Sequence, residues 1–212
     1  MAIKRYIADA DNTITNAFDA SLNGSFRATG SNMGESDILE AFSIYGQSSG
    51  STGQSSELSR ILIKFPVDTI VADRDAGTVP ESGSVSFFLR MYNAKHAETL
   101  PRNYTLIVNA ISQSWEEGYG LDMVNYTDKT YDGFGSNWLM ASSGSKWTNA
   151  TTGNGGSARL PAGNVLGGVF HDSPEFKQTF DRGHEDLEID ITHLVEQWIG
   201  GGNTGTGNEN TR

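Results

Sequence analysis

Cysteine is absent from this 212-residue chain, and proline occurs only five times. A chain without cysteine can form neither a disulfide scaffold nor a zinc–thiolate site. No apolar run approaches the ~20 residues that a membrane-spanning helix requires. The N-terminal stretch MAIKRYIADA also lacks the apolar segment of a signal peptide. We therefore expect a soluble product that is made in the cytoplasm and does not insert into a membrane.

Basic residues are scarce. The chain has 15 Lys and Arg residues against 26 Asp and Glu residues, which gives a formal net charge of −11 and a pI near 4.7. An acidic surface repels the phosphates of nucleic acids, so we expect no nucleic-acid partner. The same acidity favours solubility and can recruit divalent cations.

Alternation of apolar and polar residues predicts several β-strands. The clearest is Arg60–Phe65, in which Ile61, Ile63 and Phe65 are expected to face the core. Arg5–Thr15 is interpreted as two short strands around an Asp-rich turn, and Val67–Glu81 as a connection with an acidic turn. The other predicted strands are Ile38–Tyr45, Ser84–Tyr92, Thr105–Ile111, Val165–Phe170 and Glu175–Phe180.

The segment Asp186–Gly202 changes its period from that of a strand to that of a helix. Apolar residues alternate from Leu187, and then Ile191, Val195 and Trp198 recur at the spacing of one helical face. A helix this short needs tertiary packing to be stable in water. We therefore assign Ile191, Val195 and Trp198 to the core, together with Trp115, whose strand register points inward.

Many short strands and one late helix predict an all-β protein, and the architecture we expect is an antiparallel, jelly-roll-like β-sandwich. The sequence shows no linker that would mark a second domain, so residues 1–202 are predicted to form a single domain. Residues 203–212 are interpreted as a flexible tail or as the start of a missing closing segment.

Five motifs follow one another along the chain: Ala10–Ile14, Asn32-Met33-Gly34, RILIKF, SWEEG and DITHLVEQWIGG. In this order they resemble the DNRLRE family, which is related to carbohydrate-binding modules found beside polysaccharide lyases. The resemblance implies a jelly-roll β-sandwich without catalytic residues of its own. In that family further strands normally follow the last helix, whereas only NTGTGNENTR follows it here. We therefore expect a continuation beyond Arg212 or closing strands from another subunit, and an open sheet edge that something covers.

The search for catalytic chemistry is mostly negative, so we expect a protein that is not an enzyme and has no catalytic residues. Glu116 and Glu117 are adjacent on a predicted strand and should point to opposite faces. Two groups of acidic residues could instead hold calcium, which prefers oxygen ligands. They are Asp9 with Asp11, and Asp186 with Glu188 and Asp190; the alternative for both is a solvated acidic face. No other cofactor is expected.

The loop aromatics leave a choice between ligand binding and packing. Tyr131, Trp138 and Trp147 lie in Gly- and Asn-rich sequence and could form a platform on which a glycan stacks. The alternative is that these rings are buried, as tryptophan usually is.

The first functional hypothesis is a noncatalytic structural and assembly protein of a tailed phage, possibly one that adheres to cell-surface glycans. The general character of the sequence resembles that of virion proteins of tailed phages, especially marine and cyanobacterial ones. Its partners would be other virion subunits, copies of itself and cell-surface polysaccharide. The second is an extracellular carbohydrate-binding module of a polysaccharide-active system. The third, a polysaccharide lyase or depolymerase, ranks last because no catalytic motif supports it.

Overall fold

The computed structural model describes residues 3–17, 28–45, 56–95, 100–121, 134–147, 167–171 and 173–200, without the side chains of residues 44, 45 and 56. These residues contain nine short strands and two short helices, which is a mostly-β composition. They divide into two compact units. The single domain predicted over residues 1–202 stays a prediction, and residues 203–212 lie outside the described ranges.

The first unit comprises the described residues of Met1–Pro66 and Gln113–Phe170. Its main sheet has the order β1-β3-β2 and is antiparallel throughout. A small hairpin of β6 and β7 completes its regular structure. The strands are β1 Ala10–Thr15, β2 Ser43–Tyr45, β3 Ser56–Lys64, β6 Met140–Ser142 and β7 Ser145–Lys146.

The second unit comprises the described residues of Val67–Ser112 and His171–Asn210. It pairs β4 with β9 and β5 with β8, each antiparallel, and packs one helix against the other. The elements are α1 Val67–Asp75, β4 Phe88–Met91, β5 Tyr104–Val108, β8 Phe176–Phe180, β9 Leu187–Asp190 and α2 Thr192–Ile199.

In the second unit, side-chain hydrogen bonds and an ion pair connect elements that the two strand ladders do not connect. Gln178 of β8 donates to the carbonyl of Asp186 at 2.8 Å, and its amide oxygen accepts from the Glu188 N–H of β9 at 2.7 Å. The helices are held by an ion pair between Arg74 of α1 and Glu196 of α2, with two hydrogen bonds of 2.7 and 3.2 Å. Because the Arg74 guanidinium donates to both oxygens of the Glu196 carboxylate, the pair fixes the distance between the two groups and their orientation.

The C-terminal strand and helix confirm the sequence prediction. β9 and α2 fall within Asp186–Gly202, and Ile191 and Val195 are buried. The Asp190 carboxylate accepts from the Thr192 N–H at 2.9 Å, which satisfies one of the free donors of the first turn. Hydrogen bonding with the Thr192 side chain, and then with its N–H, lowers the pKa of Asp190. Trp198 is only partly buried, so its assignment to the core was too strong.

The predicted inward face of the RILIKF strand is wrong. Leu62 is buried, whereas Ile61, Ile63 and Phe65 are each partly exposed, and so is Trp115. The reason is that Arg60 lies on the same face of β3 as Leu62. Its guanidinium lies over the ring of Trp138, so this long cationic side chain packs inward as an apolar residue would.

Two further predictions are wrong in their local structure. The Asp-rich stretch ADADN is not a turn between two strands: Ala8 and Asp9 precede β1, and Ala10–Asn12 begin this one continuous strand, which is buried from Asn12 to Thr15. Its polar side chains are accommodated because hydrogen-bond partners surround them. The expected connection after Pro66 contains α1, whose Asp68 in the first turn and Arg74 in the last suit the helix dipole.

Candidate functional site

A buried cluster of polar side chains organises the first unit, and we call Asn12, Asn32 and Ser136 the asparagine hub. Asn32 is 1% exposed, and its amide group donates to the carbonyls of Glu117 and Ser136. Its side-chain oxygen accepts from the backbone N–H groups of Gly34 at 3.0 Å and Gly120 at 2.9 Å. One side chain therefore joins three segments that share no strand pairing among the described residues.

Asn12 ties the hub to the main sheet. From the middle of β1 its amide group donates to the carbonyl and the hydroxyl of Ser136, at 2.9 and 2.8 Å. Its side-chain oxygen accepts from the Met33 N–H at 2.9 Å. Because the two asparagines use the same Ser136 carbonyl, β1 and the segments around residues 32, 118 and 136 are fixed to one another.

Glycines let these segments approach so closely. A Cβ atom on Gly120 would lie 1.5 Å from the carbonyl oxygen of Asn32, and one on Gly118 would lie 2.4 Å from the Asn32 side chain. Gly118 and Gly135 also have φ of +86° and +83°, a conformation that favours glycine. The loops are therefore built to close around Asn32.

The hub leaves two aromatic rings side by side at the surface. Tyr119 lies between Gly118 and Gly120, Phe134 precedes Gly135, and their ring centroids are 6.4 Å apart with an interplanar angle of 61°. The two residues are 60% and 55% exposed. We call this pair the aromatic platform. Two exposed rings on backbone that is fixed from beneath form a preorganised apolar surface, which is a typical feature of a binding site.

The aromatic platform differs from the one predicted from sequence. Trp138 and Trp147 are 1% and 2% exposed, so the prediction that they form an exposed stacking surface is wrong. Tyr131, the third predicted member, lies outside the described residues.

Each buried indole has a specific packing partner. The Arg60 guanidinium lies 5.1 Å from the Trp138 ring and 5.2 Å from the ring of Phe170, and it donates to the carbonyl of Gly167. Burial lowers the pKa of Arg60 to about 10. Trp147 donates from its ring nitrogen to the Asn137 carbonyl at 2.8 Å. These contacts make both indoles structural.

Three of the five acidic residues that were predicted to hold calcium have protein partners for their carboxylates. Asp186 accepts from the Asn93 N–H, Glu188 pairs with Arg90 at 2.8 Å, and Asp190 accepts from Thr192. Asp9 and Asp11 belong to the other unit. Across the part of the chain that the structure describes, no three His, Cys, Asp or Glu residues are grouped to hold a metal ion. The geometry therefore gives the calcium prediction no support.

The two adjacent glutamates take different partners, in keeping with the sequence interpretation. The Glu117 carboxylate accepts from the Asp11 N–H at 2.7 Å, whereas that of Glu116 accepts from the Ser143 N–H at 2.9 Å. The proximity of Glu117 and partial burial raise the pKa of Asp11, with burial the larger cause. Both glutamates hold backbone, which is a structural role.

Sequence reasoning missed the aromatic platform although its local signal was present. Tyr119 has a glycine on each side and Phe134 has one after it. Glycine has no side chain that could shield an adjacent aromatic ring from solvent. This pattern could therefore have predicted that Tyr119 and Phe134 are exposed. The prediction chose Tyr131, Trp138 and Trp147 because they lie in Gly- and Asn-rich sequence, but tryptophan in such sequence can still be buried.

No family model, curated protein or solved structure matches this chain. None of the described helices is both long enough and apolar enough to cross a bilayer.

Proposed function

We propose that this chain is a noncatalytic binding protein and that the aromatic platform holds a cell-surface glycan. The observation that carries the proposal is the exposed contact between Tyr119 and Phe134 above the asparagine hub. A sugar ring has an apolar C–H face that packs against an aromatic ring, and polar rims that remain in water. An open pair of rings suits such an amphipathic ligand.

The aromatic platform has little in common with an enzyme active site. It consists of apolar rings, and the glutamates nearest in sequence, Glu116 and Glu117, already accept hydrogen bonds from backbone. A general acid or base needs a free carboxyl or imidazole within reach of the reacting group. Noncatalytic retention of a glycan is the simplest chemistry that such a surface performs.

The proposal includes the two biological roles that the sequence suggested. In the first, the protein is part of a tailed-phage particle that adheres to its host through the aromatic platform. In the second, it is a module that binds polysaccharide for a separate enzyme. The jelly-roll arrangement implied by the resemblance to the DNRLRE family belongs to the same proposal, supported by the mostly-β composition of the described residues.

Assembly into a particle is the second candidate function, and the surface of β4 favours it. Phe88 and Tyr92 are 52% and 69% exposed, and β4 pairs only with β9 among the described strands. An exposed strand edge that carries aromatic side chains is a typical place for another subunit to pair. Sedimentation of wild type and Phe88→Ala over a range of concentrations tests this candidate, which predicts an oligomer that the variant weakens.

Glycan binding is tested by an array of neutral and acidic glycans, followed by calorimetry on the strongest ligand. Tyr119→Ala and Phe134→Ala are expected to reduce affinity at least about tenfold, because loss of a well-packed aromatic contact costs about 1.5–3 kcal/mol. Tyr119→Phe keeps the ring and should keep most of the binding.

Ile7→Ala is the matched control, because Ile7 is an apolar residue of the same unit that is 85% exposed. Its affinity should equal that of the wild type. Equal affinity of the wild type and Tyr119→Ala for every bound glycan would contradict the proposed site, and the absence of any bound glycan would contradict the proposed function.

A further inference from the structure

The segments that build the asparagine hub and the aromatic platform carry charge of one sign. They are residues 9–15, 28–36, 115–121 and 134–142, and they contain no Lys or Arg. Their acidic residues are Asp9, Asp11, Glu35, Glu116 and Glu117. The local charge therefore follows the negative sign of the whole chain without any basic residue in these segments to offset it.

Hydrogen bonds connect three of these acidic residues to the segment that holds Tyr119. Glu35 donates its N–H to the carbonyl of Gly120 at 2.8 Å, directly after the tyrosine. Glu117 precedes the tyrosine by two residues, and its carboxylate accepts from the N–H of Asp11. Partial burial is the larger cause that raises the pKa of Asp11, and the negative charge of Glu117 raises it further.

We infer that the aromatic platform selects neutral glycans and rejects polyuronates and sulfated glycans. This inference depends on the proposed function and adds the chemical class of the ligand. The segments that build the asparagine hub and the aromatic platform carry Glu35, Glu116 and Glu117, so an anionic sugar at the platform would be repelled by charges that act over about 10 Å at 0.1 M salt. Recognition of an anionic sugar normally uses arginine or lysine, and these segments supply neither.

An acidic surface could still bind a uronate if a divalent cation bridged the carboxylates of the protein and of the sugar. The described residues contain no group of three potential metal ligands, so the platform lacks a built calcium site. Neutral sugars need no such bridge, since they bind through the ring faces and through hydroxyl groups. The ligand expected is therefore a neutral hexose polymer or oligosaccharide.

The test compares neutral glucan and galactan oligosaccharides with uronate oligosaccharides of equal length, each measured by calorimetry with wild-type protein. At low salt the uronates are expected to bind at least about tenfold more weakly, a difference of about 1.4 kcal/mol. Between about 0.01 M and about 1 M salt, where the Debye length falls from about 30 to about 3 Å, affinity for neutral ligands should stay constant.

Two substitutions of Glu35 test whether its carboxylate contributes to the selectivity. Glu35→Lys is expected to strengthen uronate binding at low salt about fourfold, from two unit-charge changes at about 10 Å in water. Glu35→Gln removes one unit charge and keeps the size of the side chain, so it should strengthen uronate binding about twofold. The ratio of uronate affinity to neutral-glycan affinity is compared between wild type and variants, so that any effect of the substitution on the backbone beside Tyr119 cancels.

The outcomes separate this inference from the proposed function. Uronate binding as tight as neutral binding, or uronate binding that appears with calcium and disappears with EDTA, would overturn the inference while glycan binding stands. An unchanged ratio of uronate affinity to neutral-glycan affinity in Glu35→Lys at low salt would also overturn it, because the carboxylate of Glu35 would then have no part in the selectivity. Failure of every glycan to bind would remove the proposed function itself.

Discussion

Replacement of Asn32 by alanine should destabilise the protein severely, although the side chain is polar and small. Asn32→Ala removes the side-chain partner of the Glu117 carbonyl and of the Gly34 and Gly120 N–H groups, and it leaves the Ser136 carbonyl with the amide of Asn12. An unsatisfied buried polar group costs about 1–3 kcal/mol. Even with relaxation and entry of water, we expect a loss of about 3–5 kcal/mol, a large part of the roughly 5–15 kcal/mol that stabilises a typical domain.

Chemical denaturation followed by tryptophan fluorescence measures this loss, and thermal unfolding should show a fall in Tm of roughly 6–20 °C for a chain of this size. Asn109→Ala is the control. Asn109 lies in the other unit, is partly exposed, and donates one side-chain hydrogen bond, to the His171 carbonyl at 2.9 Å. Its loss should be about 1 kcal/mol. If Asn32→Ala cost no more than Asn109→Ala, the hub would not hold the segments together and our account of the platform would be wrong.

Two further substitutions test the packing of each unit. Gly167→Ala should cost about 1–3 kcal/mol more than Gly168→Ala. Both glycines have positive φ, but only a Cβ on Gly167 meets another residue, 2.6 Å from the Trp138 ring; equal losses by denaturant titration would refute a role for that close approach. Glu196→Gln should cost about 2 kcal/mol at neutral pH, the scale of a hydrogen bond between charged groups. The hydrogen bond from Arg74 is the main cause that lowers the pKa of Glu196, so its stabilisation is present above pH 4.5 and is lost as the pH falls through the folded-state pKa. Stability curves of wild type and variant should therefore converge in acid, and parallel curves would contradict this assignment.

The spacing of apolar residues was sufficient to predict those elements in which it follows one regular period. β9 and α2 appear as predicted because the apolar residues of Asp186–Gly202 follow first one period and then the other. β8 likewise lies inside the predicted strand Glu175–Phe180. Helix α1 was missed because Val67–Asp75 buries only Val67 and Ile70, which is too weak a pattern to distinguish from a connection.

The features that a local reading could not provide depend on contacts between distant parts of the chain. Asn32 is 85 residues from Glu117 and 104 from Ser136, and nothing near it in sequence indicates either partner. The direction of Trp138 likewise depends on Arg60 and on the space left by Gly167. Sequence could show that these residue types are present, but burial of an asparagine or an indole is decided by partners that only the fold brings near.

The asparagine hub also explains how a chain with 36% hydrophobic residues can hold a defined surface. Apolar packing is not directional, so it fixes the position of a loop less sharply than hydrogen bonds do. An asparagine offers two donors and an acceptor in one plane, and Asn32 uses all of them to fix the backbone on both sides of Tyr119. A binding surface that is already ordered avoids part of the entropic cost of ordering its side chains on association. The buried amide and the exposed ring therefore act together: the first sets the geometry, and the second supplies the contact by which we propose that a neutral glycan is held.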